Sequence, residues 1–301
     1  AEVIELRSKV ASFTGKHAEL TKTNAQLKEK VSLLEAAERS ATREIHVKSS
    51  SGAVIGLGDG RLPESCNDVP DPAGAGRNVL VYGPTGCGKS FVCHQVAKAL
   101  DRPYTFNSCT TGMSEVTITG RMLPMSGEYL KSDFVHAYEK GGVHLLDEMD
   151  ACDPNTLLII NSALASDRMN VPNRVKKPVA KRHDNFVCIA AGNTIGMGAT
   201  RMYSGRNKLD GASMDRFQIG KVFMDYDKEL ERRLCPDSDL LDWLWDIRDN
   251  IRAARLERAM STRFIKDAYK MSSSIGWTYD KIIDHYFLGW SESEVRKAKG
   301  E

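Results

Sequence analysis

The sequence predicts a three-layer α/β core on a parallel sheet, followed by a small helical lid and preceded by a coiled-coil helix. Three observations carry that prediction. A glycine-rich loop, Gly83-Pro84-Thr85-Gly86-Cys87-Gly88-Lys89-Ser90, joins the apolar run Asn78 to Tyr82 to a helical run from Phe91 to Leu100. Further apolar runs recur at Val143 to Leu146 and Phe186 to Ala191, the pattern of strands covered on both faces. Leu6, Phe13, Leu20, Leu27 and Leu34 fall at seven-residue spacing before the core begins.

Residues 1–44 read as the coiled-coil arm. The second seam is Val3, Val10, His17, Asn24 and Val31, and no proline interrupts the segment. Valine at a, leucine at d and a single Asn at an a position favour two parallel strands in one register. Gly15 and His17 weaken the middle. The same stripe also suits one amphipathic helix lying on the core, or an arm that recruits a partner's helix.

Residues 45–77 read as a hairpin and linker. Ile45-His46-Val47-Lys48 alternates like a short strand, a serine-glycine turn follows, and Ala53-Val54-Ile55 returns. From Gly56 to Gly76 the chain is rich in Gly, Pro and Asp, which signals an irregular connection.

Residues 78–227 read as the nucleotide-binding core. In a strand–loop–helix context, the spacing from Gly83 to Ser90 is that of a phosphate loop. Its glycines let successive backbone N–H groups turn inward, and the following helix adds its N-terminal partial charge. Gly83, Pro84, Thr85, Gly86, Cys87, Gly88, Lys89, Ser90 and Phe91 are therefore the candidate nucleotide contacts. Lys89 is placed to reach the terminal phosphates of ATP and the Ser90 hydroxyl to hold Mg²⁺.

Downstream, Gly141 to Leu146 is an apolar strand that ends in Asp147-Glu148. A carboxylate at the C-terminal end of a parallel strand can hold Mg²⁺, and its neighbour can polarise water. Asp147 is assigned to the metal and Glu148 to the water. A helix is expected over 155–165, then an extended basic hairpin over 168–182 carrying Arg174, Lys176, Lys177, Lys181 and Arg182. The next buried strand delivers Asn193, a neutral side chain able to bond the water or the terminal phosphate.

Residues 228–301 read as the lid. Helical periodicity covers 228–234 and 240–260, with Leu240, Leu241, Leu244, Ile247 and Ile251 as its buried stripe. Another helix begins at Ser261-Thr262-Arg263, and the charged segment 291–301 is expected to fray.

Composition narrows the function classes. With 42 basic and 40 acidic residues the net charge is only +2, so nothing global demands nucleic acid. Seven scattered cysteines without a C-x-x-C pair argue against a disulfide framework and for a reducing compartment, the cytoplasm. No stretch is long and apolar enough to predict a membrane span.

Ala191-Gly192-Asn193-Thr194-Ile195-Gly196-Met197-Gly198, then Tyr203-Ser204-Gly205 and Met214-Asp215-Arg216-Phe217, together with Asp147-Glu148-Met149-Asp150-Ala151, resemble AAA+ ATPases of the MoxR and dynein-related branch. Within that branch they are similar to the ATPase subunit of aerobic cobaltochelatase. The likeness spans about residues 78–270 and excludes the arm.

The resemblance implies that Asn193 is sensor 1 and that Arg216 is the finger reaching a neighbour's γ-phosphate. It implies that Arg263, in the Ser-x-Arg element, is sensor 2. Arg201 and Arg206 are candidates for a second trans-acting arginine. The segment 112–127 resembles an insert that faces a central channel or a partner.

The implied protein is a magnesium-dependent, chaperone-like ATPase forming a hexameric ring and remodelling a partner protein, such as one with a von Willebrand A domain. Two other outputs fit the residues. One is a nucleic-acid motor or clamp loader using the 168–182 hairpin; the other is a structural oligomer gated by ATP.

Overall fold

The structure, a computed structural model, describes residues 46–48, 54–56 and 69–301. The expected coiled-coil arm lies outside these residues. Strands β1 (His46–Lys48) and β2 (Val54–Gly56) pair antiparallel. A short helix α1 (Pro70–Gly74) then leads into the core.

The core is a five-stranded parallel sheet in the order β11-β3-β10-β7-β4. Its strands are β3 (Val79–Tyr82), β4 (Tyr104–Ser108), β7 (Gly142–Asp147), β10 (Phe186–Gly192) and β11 (Lys221–Phe223). Every residue of β10 is buried, which is why its sequence is a continuous apolar run and not an alternating one. Residues of one face, such as Val79, Val81, Val143 and Ile189, pack on helix α2 (Lys89–Ala99). Residues of the other, such as Leu80, Leu146 and Phe186, pack on helices α4 (Asp133–Lys140) and α5 (Pro154–Ser166). The result is three layers around a sheet whose strand ends all point one way.

Between β4 and α4 the chain forms helix α3 (Glu115–Thr119) and a small hairpin of β5 (Arg121–Met122) and β6 (Tyr129–Leu130). Met125 at its tip is fully exposed. The basic hairpin forms as β8 (Arg168–Asn170) against β9 (Val179–Lys181). Helix α6 (Gly211–Asp215) precedes β11.

The lid comprises α7 (Lys228–Leu234), α8 (Ser238–Ala253), α9 (Thr262–Ile275), α10 (Tyr279–Tyr286) and α11 (Glu292–Lys299). Its own apolar cluster includes Leu240, Leu244, Ile251, Ile265 and Ile283. Two expectations are corrected here. Helical periodicity to residue 260 overshoots, because α8 stops at Ala253 and Arg255 adopts a left-handed conformation (φ 51°). The segment 291–301 does not fray: Ser291 and Glu294 form a capping box, Ala298 is buried, and the Asn250 side chain donates to its carbonyl at 3.1 Å. The charges there form a helix surface and cap, which periodicity over so short a run does not reveal. Among the described residues no helix is long and apolar enough to cross a membrane.

Candidate functional site

The glycines of the 83–90 loop are required by what lies against them. A Cβ on Gly83 would meet the Met224 carbonyl oxygen at 1.9 Å, because the chain leaving β11 runs directly over the loop. Gly86 has φ 70°, and a Cβ there would sit 2.6 Å from the Ser261 Cβ and 3.5 Å from the Arg263 Cβ. Glycine at 86 is thus what allows the start of α9 to rest on the loop. Gly88, left-handed at φ 101°, turns the chain into α2. The helix start and the curled backbone together make an anion cradle.

Side chains converge on that cradle from three strand ends. Lys89 is buried, and its ammonium donates to the Gly83 and Pro84 carbonyls at 2.9 Å each and to Asn193 Oδ1 at 2.8 Å. Burial lowers its pKa below the usual lysine value, opposed by nearby Cys87 and by Asp147, Asp150 and Glu148. Ser90 Oγ donates to Asp147 Oδ2 at 2.7 Å. Two hard oxygen ligands side by side next to a phosphate cradle fit Mg²⁺, which takes one or two protein oxygens plus phosphate oxygens and water. Among the described residues no group of three or more His, Cys, Asp or Glu forms a self-sufficient metal cage. Phe91 follows, half exposed on the first turn of α2.

Glu148 leaves the sheet in a left-handed conformation (φ 55°), its N–H donating to Asp147 Oδ1 at 3.0 Å. Such backbone in a non-glycine residue is strained, and it persists where the surroundings hold it. The Glu148 side chain is left 53% exposed. Of the two candidates for a second trans-acting arginine, Arg206 is the one with contacts in its own chain. Its guanidinium lies on Glu148 and Asp150 of its own chain, whereas Arg201 is exposed.

Arg263 begins the lid helix that rests on Gly86, so the lid delivers it to the cradle's rim. Arg216 lies elsewhere. Its carbonyl accepts from Asn78 Nδ2 at 3.3 Å, and its guanidinium is 3.9 Å from Asp215. Asn78 precedes β3 while the phosphate loop follows it, so roughly 13 Å of strand separates the two ends. Lys89, Ser90, Asp147, Glu148, Asn193 and Arg263 therefore gather at one edge of the sheet, and Arg216 sits at the opposite one.

The structure adds residues that sequence reading passes over. The Thr85 N–H donates to the Tyr203 hydroxyl at 3.0 Å, and the Tyr226 hydroxyl donates to the Thr85 carbonyl at 2.9 Å. Arg248 stacks on the Tyr226 ring at 4.2 Å while pairing with fully buried Glu231. Glu231 also accepts from Thr262 Oγ1 at 2.5 Å, one residue before Arg263. A continuous set of contacts thus runs from the phosphate loop through the lid and back. A signal was present for Arg248: a cation standing in the apolar stripe of α8 between Leu244 and Ile251. Tyr203 stands in the Tyr203-Ser204-Gly205 run, which marks the position but not this contact, and nothing local marks Tyr226.

A match to one family model agrees with the phosphate loop and strand ends described above. Residues 78–217 match the AAA domain family, dynein-related subfamily. Uncharacterized proteins of Staphylococcus aureus, from strains bovine RF122 / ET3-1 and USA300, are 24% identical over 183 residues, 58% of this chain. The match covers 66% of those relatives' length, just under two thirds. A RuvB mutant from Thermotoga maritima is similar in structure at TM-score 0.49 and 15% identity, covering 81% of this chain and 73% of that one. The Thermotoga maritima RuvB Holliday junction branch migration motor gives 0.45 at 15% identity, over 81% and 72%. A putative ATPase from Cytophaga hutchinsonii gives 0.43 at 15% identity, over 72% and 77%. The parallel sheet, phosphate loop and lid are those of an AAA+ P-loop ATPase, and residues 78–217 are similar to the dynein-related AAA domain.

Proposed function

We propose that this chain hydrolyses ATP as a subunit of a ring, hexameric by the family resemblance, and converts turnover into work on a partner. The observation that carries the reading is the separation of Arg216 from its own phosphate loop by the length of β3, while every other candidate residue gathers at that loop. An arginine so placed serves catalysis only in a neighbour's pocket.

Within one subunit, the cradle 83–90 binds the phosphates and Lys89 neutralises their terminal charge. Ser90 and Asp147 hold Mg²⁺, which supplies charge neutralisation on the phosphate oxygens when bound. Glu148 takes the proton of the attacking water, Asn193 orients it, and Arg263 reports the phosphate state to the lid. Arg216 of the adjacent subunit adds a fork of donors to the charge developing in transfer. The sealed loop–lid contacts through Tyr226, Arg248 and Thr262 support lid rotation as the output.

The finer likeness to the MoxR branch and the cobaltochelatase ATPase subunit rests on the 191–198, 203–205 and 214–217 runs, and it directs the partner search toward A-domain proteins. The exposed Met125 tip is the apolar contact such a partner would meet. Buried cysteines such as Cys87, Cys109, Cys152, Cys188 and Cys235, none of them in a disulfide among the described residues, support a reducing compartment, the cytoplasm.

The test is a mixing experiment on ATP turnover. Lys89→Ala, Arg216→Ala and Glu148→Gln proteins are each expected to lose turnover. Mixing Arg216→Ala with Glu148→Gln restores part of it, because some interfaces then hold one intact set. An active monomer ends the reading, and a formed ring that binds ATP without turnover favours the structural oligomer.

A second reading has its own observation. Lys140, Lys177, Lys181 and Arg182 line a groove of about 560 Å³ beside the β8–β9 hairpin. Glu139 in that groove already accepts from Lys131 and Arg174 at 2.8 Å, so the groove keeps a cationic excess suited to a phosphate backbone. A nucleic-acid motor would show turnover stimulated by DNA and lost steeply with salt.

A further inference from the structure

We infer that Arg206 acts within its own subunit as a positioning residue for the Glu148 carboxylate, through a bridge anchored on buried Asp150. The inference deepens the proposed ATPase reading and rests on Glu148 being its water-activating group.

The anchor comes first. Asp150 is 1% exposed, and a carboxylate there survives only if its oxygens are satisfied. Its Oδ2 accepts from the Asn193 N–H at 3.1 Å, the Thr194 N–H at 2.9 Å and the Thr194 hydroxyl at 3.0 Å. Three donors from the end of β10 therefore fix the carboxylate. Its Oδ1 is left for Arg206 Nη1 at 3.2 Å.

The arginine is fixed in turn. Its side chain is 12% exposed. The Asn207 N–H donates to the Asp150 carbonyl at 2.7 Å, and the Asn207 side chain donates to the Cys152 carbonyl at 2.9 Å. The backbone next to Arg206 is thus stitched to the segment that carries Glu148 and Asp150. From there the same Nη1 reaches Glu148 Oε2 at 3.4 Å.

The two contacts differ in kind. Asp150 cannot leave, being sealed and held by three other donors. Glu148 is 53% exposed and meets Arg206 at the long end of hydrogen-bond range, so it can swing toward a water and return. A group anchored on one side and loosely bound on the other sets the range of a mobile carboxylate. Arg206 Nη1 is thus engaged inside its own chain at the phosphate-loop edge of the sheet, whereas Arg216 lies at the opposite edge. The cis bridge also joins Asn193, whose amide hydrogen-bonds Asp150, to Glu148 through one arginine. The fixed Asn193 amide and the mobile Glu148 carboxylate are thus linked through Asp150 and Arg206.

The experiment uses the full chain and steady-state ATP turnover, with affinity for a non-hydrolysable ATP analogue measured alongside. Arg206→Ala is expected to lower kcat by about 10–100-fold, the range in which misplacement of a catalytic group acts. KM and analogue affinity stay within about twofold, as for an interaction that matters only after binding. Arg206→Lys recovers part of kcat, since an ammonium keeps one of the two contacts. Adding Arg206→Ala to Glu148→Gln causes no further loss, because the positioned group is already gone.

Mixing separates cis from trans. Arg206→Ala mixed with Glu148→Gln gives no rescue, because no subunit then holds both residues. Rescue in that mixture would overturn the inference, as would unchanged or increased kcat in Arg206→Ala, or analogue affinity falling in step with kcat. If the Arg216→Ala and Glu148→Gln mixture fails to regain activity while Arg206→Ala still lowers kcat alone, the shared-site reading fails and the positioning role stands.

Discussion

Asp150 in the core and Glu231 in the lid are both sealed from water, at 1% and 0% exposure, and each faces an arginine. They are wired differently. Both oxygens of Glu231 are taken up inside the lid. Arg248 donates through Nη1 and Nη2 at 2.7 and 2.6 Å, Trp245 Nε1 at 2.7 Å and Thr262 Oγ1 at 2.5 Å. The remaining Arg248 donor, Nε, goes to the Met260 carbonyl at 2.8 Å. Helices α7, α8 and α9 are thereby pinned at one point, immediately before Arg263. The Asp150 cluster instead passes its arginine on to an exposed carboxylate. One network closes on itself and makes a rigid lever; the other keeps one loose contact where chemistry needs a moving group.

Breaking the closed network should give the largest stability effect. Arg248→Ala leaves Glu231 charged, buried and short of its bidentate partner, a loss of about 3–5 kcal/mol. Arg206→Ala leaves Asp150 with three donors, so the cost is roughly 1–3 kcal/mol. Urea unfolding of both variants measures the difference, and equal losses would mean the two networks are not distinct in kind. A Glu231→Leu, Arg248→Met double variant should recover much of the stability, since a buried pair replaced by apolar groups of similar volume is often nearly neutral.

The contact between lid and loop is the next point of attack. Gly86→Ala places a methyl group 2.6 Å from the Ser261 Cβ in a left-handed backbone conformation. The conformation alone costs about 1–2 kcal/mol, and the clash pushes α9 off the loop. Turnover should fall more than global stability does, because Arg263 moves with α9 while the lid's own core is untouched. Thermal unfolding paired with an ATPase assay would show it; a variant with normal turnover would place the functional lid contact elsewhere.

The two networks also mark what a sequence can and cannot disclose. The 83–90 loop, the apolar strands and the Asp147-Glu148 pair are local patterns, because phosphate binding and a strand end each need residues adjacent in the chain. Those groups do meet: Ser90 touches Asp147, and Lys89 touches Asn193. The Arg206 bridge spans 56 residues and the Glu231 pair 17. Contacts at such range depend on loop paths and crossings that no periodicity encodes. Arg206 accordingly reads in sequence as one more arginine near the finger. The charged tail at 291–301 fails for a different reason, since its capping box and single buried Ala298 leave almost no apolar signal.

Acid should separate the regions by the pH at which each loosens, core first. His144 on β7 is fully buried, edge-on to Phe134, with Nδ1 2.8 Å from Thr105 Oγ1 and no partner for Nε2. Burial pushes its pKa from 6.5 down to about 3. The unfolded chain therefore takes up a proton below about pH 6.5 that the folded chain refuses. Its contribution is present above that pH and is lost as pH falls toward 3, with a slope of about 1.4 kcal/mol per pH unit. In the lid, Arg258 and the Ser291 cap hold Glu294 down to about 2 from 4.5. That contribution is present above 4.5 and is lost between 4.5 and 2. Core strands should thus loosen at a higher pH than α11, as followed by hydrogen exchange across the acid range. His144→Leu, which keeps the apolar fill without the titrating ring, should flatten the upper part of the profile and leave the lower part in place. A wild-type profile already flat between pH 6.5 and 5 would mean that the ring is reached by water, and the sealed core would lose this mark of distinction from the lid.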